Sequence, residues 1–329
     1  MTGVVHGGAD GGPPVRWDFS TNANALGPSP VARRAVAAAD VRGYPDPAYT
    51  AVRTAIASQR GRDPSRIVVG AGASELIHRV VARVALPGPR RRVLVRASTF
   101  GEYRHAAEVA GVDVVVADSA GAFRDALGQA DVAFLCVPNN PDGEVPGADW
   151  LAETARLARQ VECRLVLDLA YWPLARDAPR LPDDAWHLWA PNKSHGTTGV
   201  RAGWLELDED VPTLHAAPSW IVSAVGVAFL HAVVSPEARD WVAWTREVLW
   251  RWRDDLRDGL DDRGITTVST SANWLLAEVG DAGTVTPALR TRGIRVRDAS
   301  SFGRPAHVRL SAQPPPAVED LLAALDAVS

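Results

Sequence analysis

From about residue 50 to residue 235, short apolar runs alternate with stretches of helical period. The runs are Ile67–Val69, Val93–Val95, Val112–Val116, Val132–Val137, Leu165–Leu167, Trp186–Trp189 and Ala202–Leu207. Most are continuously apolar, the pattern of strands buried on both faces. Strands that alternate with helices predict an α/β fold, a mainly parallel (mixed) sheet flanked by helices. After residue 235 the texture changes. Trp241, Trp244, Val248, Trp252, Leu256 and Leu260 recur at spacings of three and four, which predicts one long amphipathic helix with this stripe facing the core. Beyond it VSTSANWLLAEV, GIRVRDAS and HVRLSAQ read as strands of a smaller α+β domain, closed by a helix near Ala317–Ala327.

The organisation that follows is a Gly/Pro-rich arm over residues 1–15, flexible unless something binds it, and an extended segment with a helix over 16–45, associated with the small domain. A large domain covers 46–234 and a small C-terminal domain 235–329. The apolar run Trp220 to Val234 is interrupted by Ser223, Gly226 and His231 and reads as a buried helix, not a membrane span.

Charge excludes some functions. With 35 basic and 39 acidic residues the net charge is −4, so no general basic field invites nucleic acid. Two cysteines, Cys136 and Cys163, make no disulfide framework and lack the neighbours of a metal site. The expectation is a cytoplasmic protein without metal, membrane or nucleic-acid partner. One compositional fact is sharper: the basic residues are arginines except for a single lysine, Lys193. A guanidinium stays protonated and cannot act as an amine nucleophile, so Lys193 marks either a position that needs amine chemistry or a chance survivor in an Arg-biased chain.

Ligands of open α/β sheets bind beyond the carboxyl ends of the strands. There the sequence places GAGASELI (Gly70 to Ile77), a Gly-rich turn opening a helix and suited to a phosphate. It also places PNNPDG after Val132–Val137, Asp168 and Tyr171 in DLAY, and PNKSHGTTGVRAG with Lys193 and, eight residues on, Arg201. Singly, each has a structural reading as a turn or cap. Together they match what pyridoxal 5′-phosphate requires: an amine for its aldehyde, an anion for its pyridine nitrogen, donors for its phosphate and its phenolic oxygen.

In the order DFSTNANALGPSP, YPDPAY, GAGASELI, STFGEY, FLCVPNNPDG, VLDLAYW, NKSHGTTGVRAGW, SANWLLAEV, GIRVRD, HVRLS, the chain resembles the fold-type I pyridoxal-phosphate enzymes of aminotransferase class I/II. The branch it resembles holds histidinol-phosphate aminotransferases and the threonine-phosphate decarboxylases of cobalamin synthesis. His6 to Gly8, HGG before DFSTN, is closer to the decarboxylases.

The resemblance implies that Lys193 is the Schiff-base lysine and proton shuttle and that Asp168 pairs with the pyridine nitrogen. It implies further that Asn140 and Tyr171 bond the ring oxygen, that Phe100 stacks on the ring, and that Ala73, Ser74 and Arg201 hold the phosphate. Tyr44 would reach the neighbouring subunit's cofactor in a homodimer. Arg309 would bind the substrate carboxylate, with Arg297 and His6 as further substrate-binding candidates. For Arg297 a solvated strand arginine is the competing reading. Three positions depart from the family pattern: Asn192 stands where Ser or Thr is usual, Leu169 where Glu is usual, and Asp142 where Thr is usual. The leading activity is transamination of an amino acid or amino-acid phosphate. Decarboxylation, β-elimination, and a relic that binds cofactor without turnover are the alternatives.

Overall fold

A computed structural model describes residues 7–268 and 271–328. In chain order its strands are Trp17–Asp18 (β1), Ile67–Gly70 (β2), Arg92–Arg96 (β3), Asp113–Ala117 (β4), Val132–Cys136 (β5), Arg164–Asp168 (β6), Trp186–Trp189 (β7), Gly203–Glu206 (β8), Thr267–Val268 (β9), Trp274–Glu278 (β10), Ile294–Arg295 (β11), Arg297–Asp298 (β12) and His307–Ser311 (β13).

Seven of them form the large sheet, in the order β2-β8-β7-β6-β5-β3-β4. β8 runs antiparallel to both its neighbours and the other pairs are parallel, so the sheet is mixed. Every residue of β2, β5, β7 and β8 is buried, because separate apolar clusters pack on the two faces. That double cover is why β2 and β5 read as unbroken apolar runs, while in β7 and β8 the polar exceptions His187 and Glu206 face each other at 3.6 Å. β4, at the edge, exposes Asp113, a charge that blunts further pairing.

The second unit is an antiparallel sheet, β12-β13-β10-β9, with a third apolar cluster between it and the helices Pro236–Asp261, Ala282–Thr291 and Pro315–Asp326. β1 pairs in parallel with β11, Trp17 opposite Ile294, which ties residues 16–18 to this unit. The described part of the arm is pinned rather than loose: Asp10 forms ion pairs with Arg290 at 3.0 Å and with Arg295 at 3.4 Å.

The long helix, Pro236–Asp261, forms where the apolar spacing predicts it, but its buried stripe is different. Ala238, Val242, Thr245, Leu249, Trp250, Arg253, Leu256 and Leu260 face inward, whereas Trp244 is 58% exposed. The inward face contains polar residues with buried partners. Thr245 Oγ1 accepts from Asn24 Nδ2 at 2.7 Å, and Trp250 Nε1 donates to the Leu174 carbonyl at 3.0 Å. Counting apolar residues alone rotates the stripe away from Thr245 and Arg253. The run before this helix forms the shorter helix Ala224–Val233, burying Phe229, Leu230 and Val233. No helix among the described residues is long and apolar enough to cross a membrane.

Candidate active site

The carboxyl ends of β2, β5, β6 and β7 open on one cavity of about 500 Å³, closed from the other side by β12, β13 and the arm. Ala73, Ser74, Phe100, Asn140, Asp168, Tyr171, Lys193, Arg201, Arg297 and Arg309 all line it. Residues as distant in sequence as Ala73 and Arg309 thus share one chamber, because the parallel strands gather their ends on a single edge and the antiparallel sheet faces that edge. Tyr44 does not line it. It is 80% exposed and stacks on Trp220 with ring centroids 4.3 Å apart. His6 lies outside the described residues.

One end of the cavity is made largely by backbone. Gly72 has φ of 95°, and a Cβ there would stand 2.9 Å from Arg201 Nη2. Glycine is therefore required both by the left-handed conformation and by the guanidinium packed on it. The helix Ala73–Val80 follows, and the N–H groups of Ala73 and Ser74 in its first turn have no preceding helical carbonyl to bond. Asn192, in place of Ser or Thr, is buried and donates from Nδ2 to the carbonyls of Thr198 at 3.4 Å and Val200 at 3.3 Å. It braces the loop that leads to Arg201. Asp142 likewise serves its turn, accepting from Asn139 Nδ2 at 2.9 Å and Glu144 N at 3.1 Å.

Lys193 leaves the end of β7 with its Nζ 5.9 Å from the centre of the Tyr171 ring. Burial, reinforced by Arg309 and Arg201, lowers the ammonium pKa from 10.5 to about 8, against the opposing pull of Asp168. Because Lys193 is the only lysine, amine-selective labelling followed by peptide mapping should give its titration directly. Its labelling rate in the cofactor-free protein is expected to rise with a midpoint near pH 8, and a midpoint above 10 would contradict the burial.

Asp168, at the end of β6, is buried, accepts from Tyr103 Oη at 2.7 Å and from Ala170 N at 3.1 Å. Burial raises its pKa, while the Tyr103 hydroxyl, the Ala170 amide and Lys193 favour the carboxylate. Tyr103 is itself fully buried, stacked on Phe134 with centroids 4.9 Å apart, and Phe100 meets it edge-on. Sequence reasoning overlooks Tyr103, although it lies within STFGEY. Trp274 is a second omission: it meets Tyr171 edge-on at 4.7 Å and donates from Nε1 to the Pro141 carbonyl at 2.7 Å, bracing two strand-end loops.

On the opposite wall Arg297 and Arg309 are directly paired across β12 and β13, so both guanidiniums share a face. Arg309 donates to Asn140 Oδ1 and, from Nη2, to the Ser20 carbonyl at 2.7 Å, and its buried Nε has no partner among the described residues. Burial is the main cause that lowers its pKa to about 10. Arg297 is buried too, donating to the Asp298 carbonyl at 2.8 Å and to Ser301 Oγ at 2.7 Å, so the reading of it as a solvated strand arginine fails. Sequence spacing cannot show that its strand faces inward. Asn22, buried in the same wall with neither amide atom partnered among the described residues, also escapes sequence reasoning although DFSTN contains it. Gly7 completes the wall, and a Cβ there would collide with the Ser20 carbonyl. Among the described residues no cluster of three or more His, Cys, Asp or Glu could hold a metal.

The cavity lining thus sets one carboxylate, Asp168, against one amine and three guanidiniums. Such an excess of buried positive charge suits an anionic occupant.

Comparison with known proteins places this arrangement. Histidinol-phosphate aminotransferases from Paracoccus denitrificans and Granulibacter bethesdensis are 31% identical over 313 residues and 32% identical over 318 residues. Each alignment covers 89% of this chain and 84% of the relative. The histidinol-phosphate aminotransferase of Clostridium acetobutylicum superimposes with a TM-score of 0.85 at 18% identity, covering 95% of this chain and 98% of that one. That of Sinorhizobium meliloti, solved with pyridoxal-5′-phosphate, gives 0.81 at 22% identity, covering 96% and 91%. At such identities the structures show a shared fold. The sequence profile of aminotransferase class I and II matches residues 16–328, so with relatives above 30% identity over most of its length this chain belongs to the aminotransferase class I and II family.

Proposed function

We propose that the protein is a pyridoxal-phosphate-dependent aminotransferase acting on an amino acid or an amino-acid phosphate. The observation that carries this reading is the placement of the only lysine, its amine buried, in the same cavity as a buried aspartate and a pair of substrate-facing arginines. The donor set fits the cofactor: Ala73 and Ser74 amides with Arg201 for a phosphate, Asp168 for a protonated ring nitrogen, Asn140 and Tyr171 for the ring oxygen, and Phe100 for a ring face. When bound, pyridoxal 5′-phosphate supplies an aldehyde that links to amines and a ring that accepts the electron pair released at Cα.

The chain's own residues do the rest. Lys193, with a pKa of about 8, is partly neutral near neutral pH and can take a proton from the substrate's Cα and give it up again. Asp168 offers its carboxylate to the ring nitrogen, with burial raising its pKa and the hydrogen bonds from Tyr103 and the Ala170 amide favouring the charged form. Arg309, steadied by Asn140 and Ser20, offers a guanidinium to the substrate's anionic group, with Arg297 beside it. Tyr171 and Trp274 wall the chamber. The exposed pair of Tyr44 and Trp220 supports a homodimer in which Tyr44 reaches the neighbouring site, and the two buried free thiols suit a reducing, cytoplasmic setting.

The test is to mix the cofactor-loaded protein with a panel of amino acids and amino-acid phosphates, histidinol phosphate included, together with 2-oxoglutarate. An active donor should yield glutamate. A visible absorption band that no donor perturbs would overturn turnover and leave a cofactor-binding relic. One observation favours a second reading, decarboxylation: the arm reaches the substrate wall through Gly7, beside Arg309. Stoichiometric CO₂ with an amine product and no glutamate would select it.

Arg309→Leu is expected to weaken amino-acid binding roughly 30-fold or more, about 2 kcal/mol for a buried charge pair losing one partner, with the cofactor spectrum unchanged. Substrate titrations of that spectrum measure this. Equal affinity of the native protein for an amino acid and its decarboxylated amine would contradict the assignment.

A further inference from the structure

Behind the lysine segment lies a second cavity, of about 300 Å³, at the small end of the range for ligand pockets. The two cavities share Ala190, and the second is floored by Pro191, Ser194 and His195, so it backs onto the segment that carries Lys193. Leu169, where the family pattern has Glu, also lines it.

Its walls are aromatic and its rim is cationic. Trp172, Trp189 and Trp204 supply flat apolar surface, the last two rings lying within 20° of parallel. Arg239, Val242, Ala243 and Arg246 face it from one side of the long helix, at the spacing of a single helical face. Arg239 is exposed and its guanidinium has no hydrogen bond or ion pair among the described residues, while Arg246 reaches only its neighbour Glu247, at 3.2 Å. Arg60 stands on the Trp189 ring at 4.5 Å, already engaged by Glu206 at 2.7 Å. No acidic residue lines the cavity.

The floor adds a neutral polar ring. Ser29 Oγ caps a helix by accepting from Ala32 N at 3.2 Å, and it lies 3.0 Å from His195 Nδ1. Ser29 and His195 thus share one hydrogen bond, whichever of the two carries its proton. Nε2 has no partner among the described residues, although His195 itself is buried. Burial also keeps the ring neutral, with its pKa lowered to about 4.

Flat apolar walls, a neutral imidazole at the base, and at the mouth guanidiniums of which Arg239 has no ion pair among the described residues define one chemistry. We propose that this second cavity is a binding site for an aromatic monocarboxylate, with its ring against the tryptophan wall and its carboxylate toward Arg239 and Arg246. It contains no group that would act on such a ligand, so it binds without transforming it, against the reverse side of the catalytic segment.

The probe is 3-phenylpropionate, titrated calorimetrically into the full-length, cofactor-loaded protein, a measurement that needs no turnover and so stands or falls separately from the proposed activity. Binding is expected to survive Arg309→Leu, which removes the carboxylate anchor of the first cavity. It is expected to weaken at least about tenfold in the double variant Arg239→Ala/Arg246→Ala, since each tenfold is about 1.4 kcal/mol. Ala243 is exposed yet lines the cavity, so Ala243→Trp should block the site without disturbing the core. The neutral 3-phenylpropionamide should bind at least about tenfold more weakly than the acid. Absence of binding at millimolar probe, loss on Arg309→Leu, indifference to the arginine and Ala243 variants, or equal binding of the amide would each overturn the proposal.

Discussion

Lys193→Arg is expected to abolish turnover while leaving the protein folded, with kcat falling by at least about 10⁴-fold, the upper end of what a positioned proton-transfer group contributes. Arginine preserves the positive charge and much of the length, but a guanidinium is protonated at every accessible pH and offers no nucleophilic amine. The native ammonium is the opposite case, since burial between Arg309 and Arg201 lowers its pKa to about 8 and makes the neutral amine available. Lys193→Ala serves as a second variant, free of the added bulk. Steady-state turnover and the cofactor absorbance retained after desalting check both, and borohydride reduction of the native protein should leave the pyridoxyl group on Lys193. A variant retaining activity within about tenfold of the native protein would remove Lys193 from the reaction.

Asp168→Asn is expected to bind cofactor and lose turnover by up to about 10³-fold, because an adjacent anion raises the pKa of a ring nitrogen by roughly 1–3 units and each unit is a factor of ten. The amide keeps the size of the carboxylate and can still accept from the Tyr103 hydroxyl, so the change isolates the charge. The Ala73 and Ser74 amides and Arg201, proposed to hold the cofactor's phosphate, are untouched, and cofactor affinity is the control. Tyr103→Phe should have a smaller effect in the same direction, roughly 10- to 150-fold, from removal of one hydrogen bond to a charged group worth about 1.5–3 kcal/mol. The pH titration of the bound chromophore separates electrostatic from merely structural effects in both variants. An Asp168→Asn enzyme running near the native rate would reduce Asp168 to the strand-end partner of the Ala170 amide.

The strands of the large sheet were legible because both of their faces are buried. That condition removes polar residues from Ile67–Gly70 and Val132–Cys136 and leaves runs that need no knowledge of neighbours to recognise. The chemistry was legible for a related reason: groups following parallel strands must emerge on one edge, so Asp168, Asn140 and Lys193 could be assembled by order alone. Lys193 stood out further because every other basic residue is an arginine.

Tertiary structure alone decided what depends on a partner far away in the chain. The inward face of the long helix follows Thr245 and Arg253 because buried polar residues face inward wherever a partner awaits them, and Asn24 waits 221 positions away. Tyr103 matters because its hydroxyl meets a carboxylate 65 residues on. Arg297 lines the cavity because β12 pairs with β13, a register that spacing in the sequence does not specify. The second cavity exists only where the long helix crosses behind the lysine segment. Periodicity reports the environment of a residue averaged along its own element, so the sequence by itself determined the elements and the groups at their ends. Which side chains meet is set by packing between elements, and that required the folded chain.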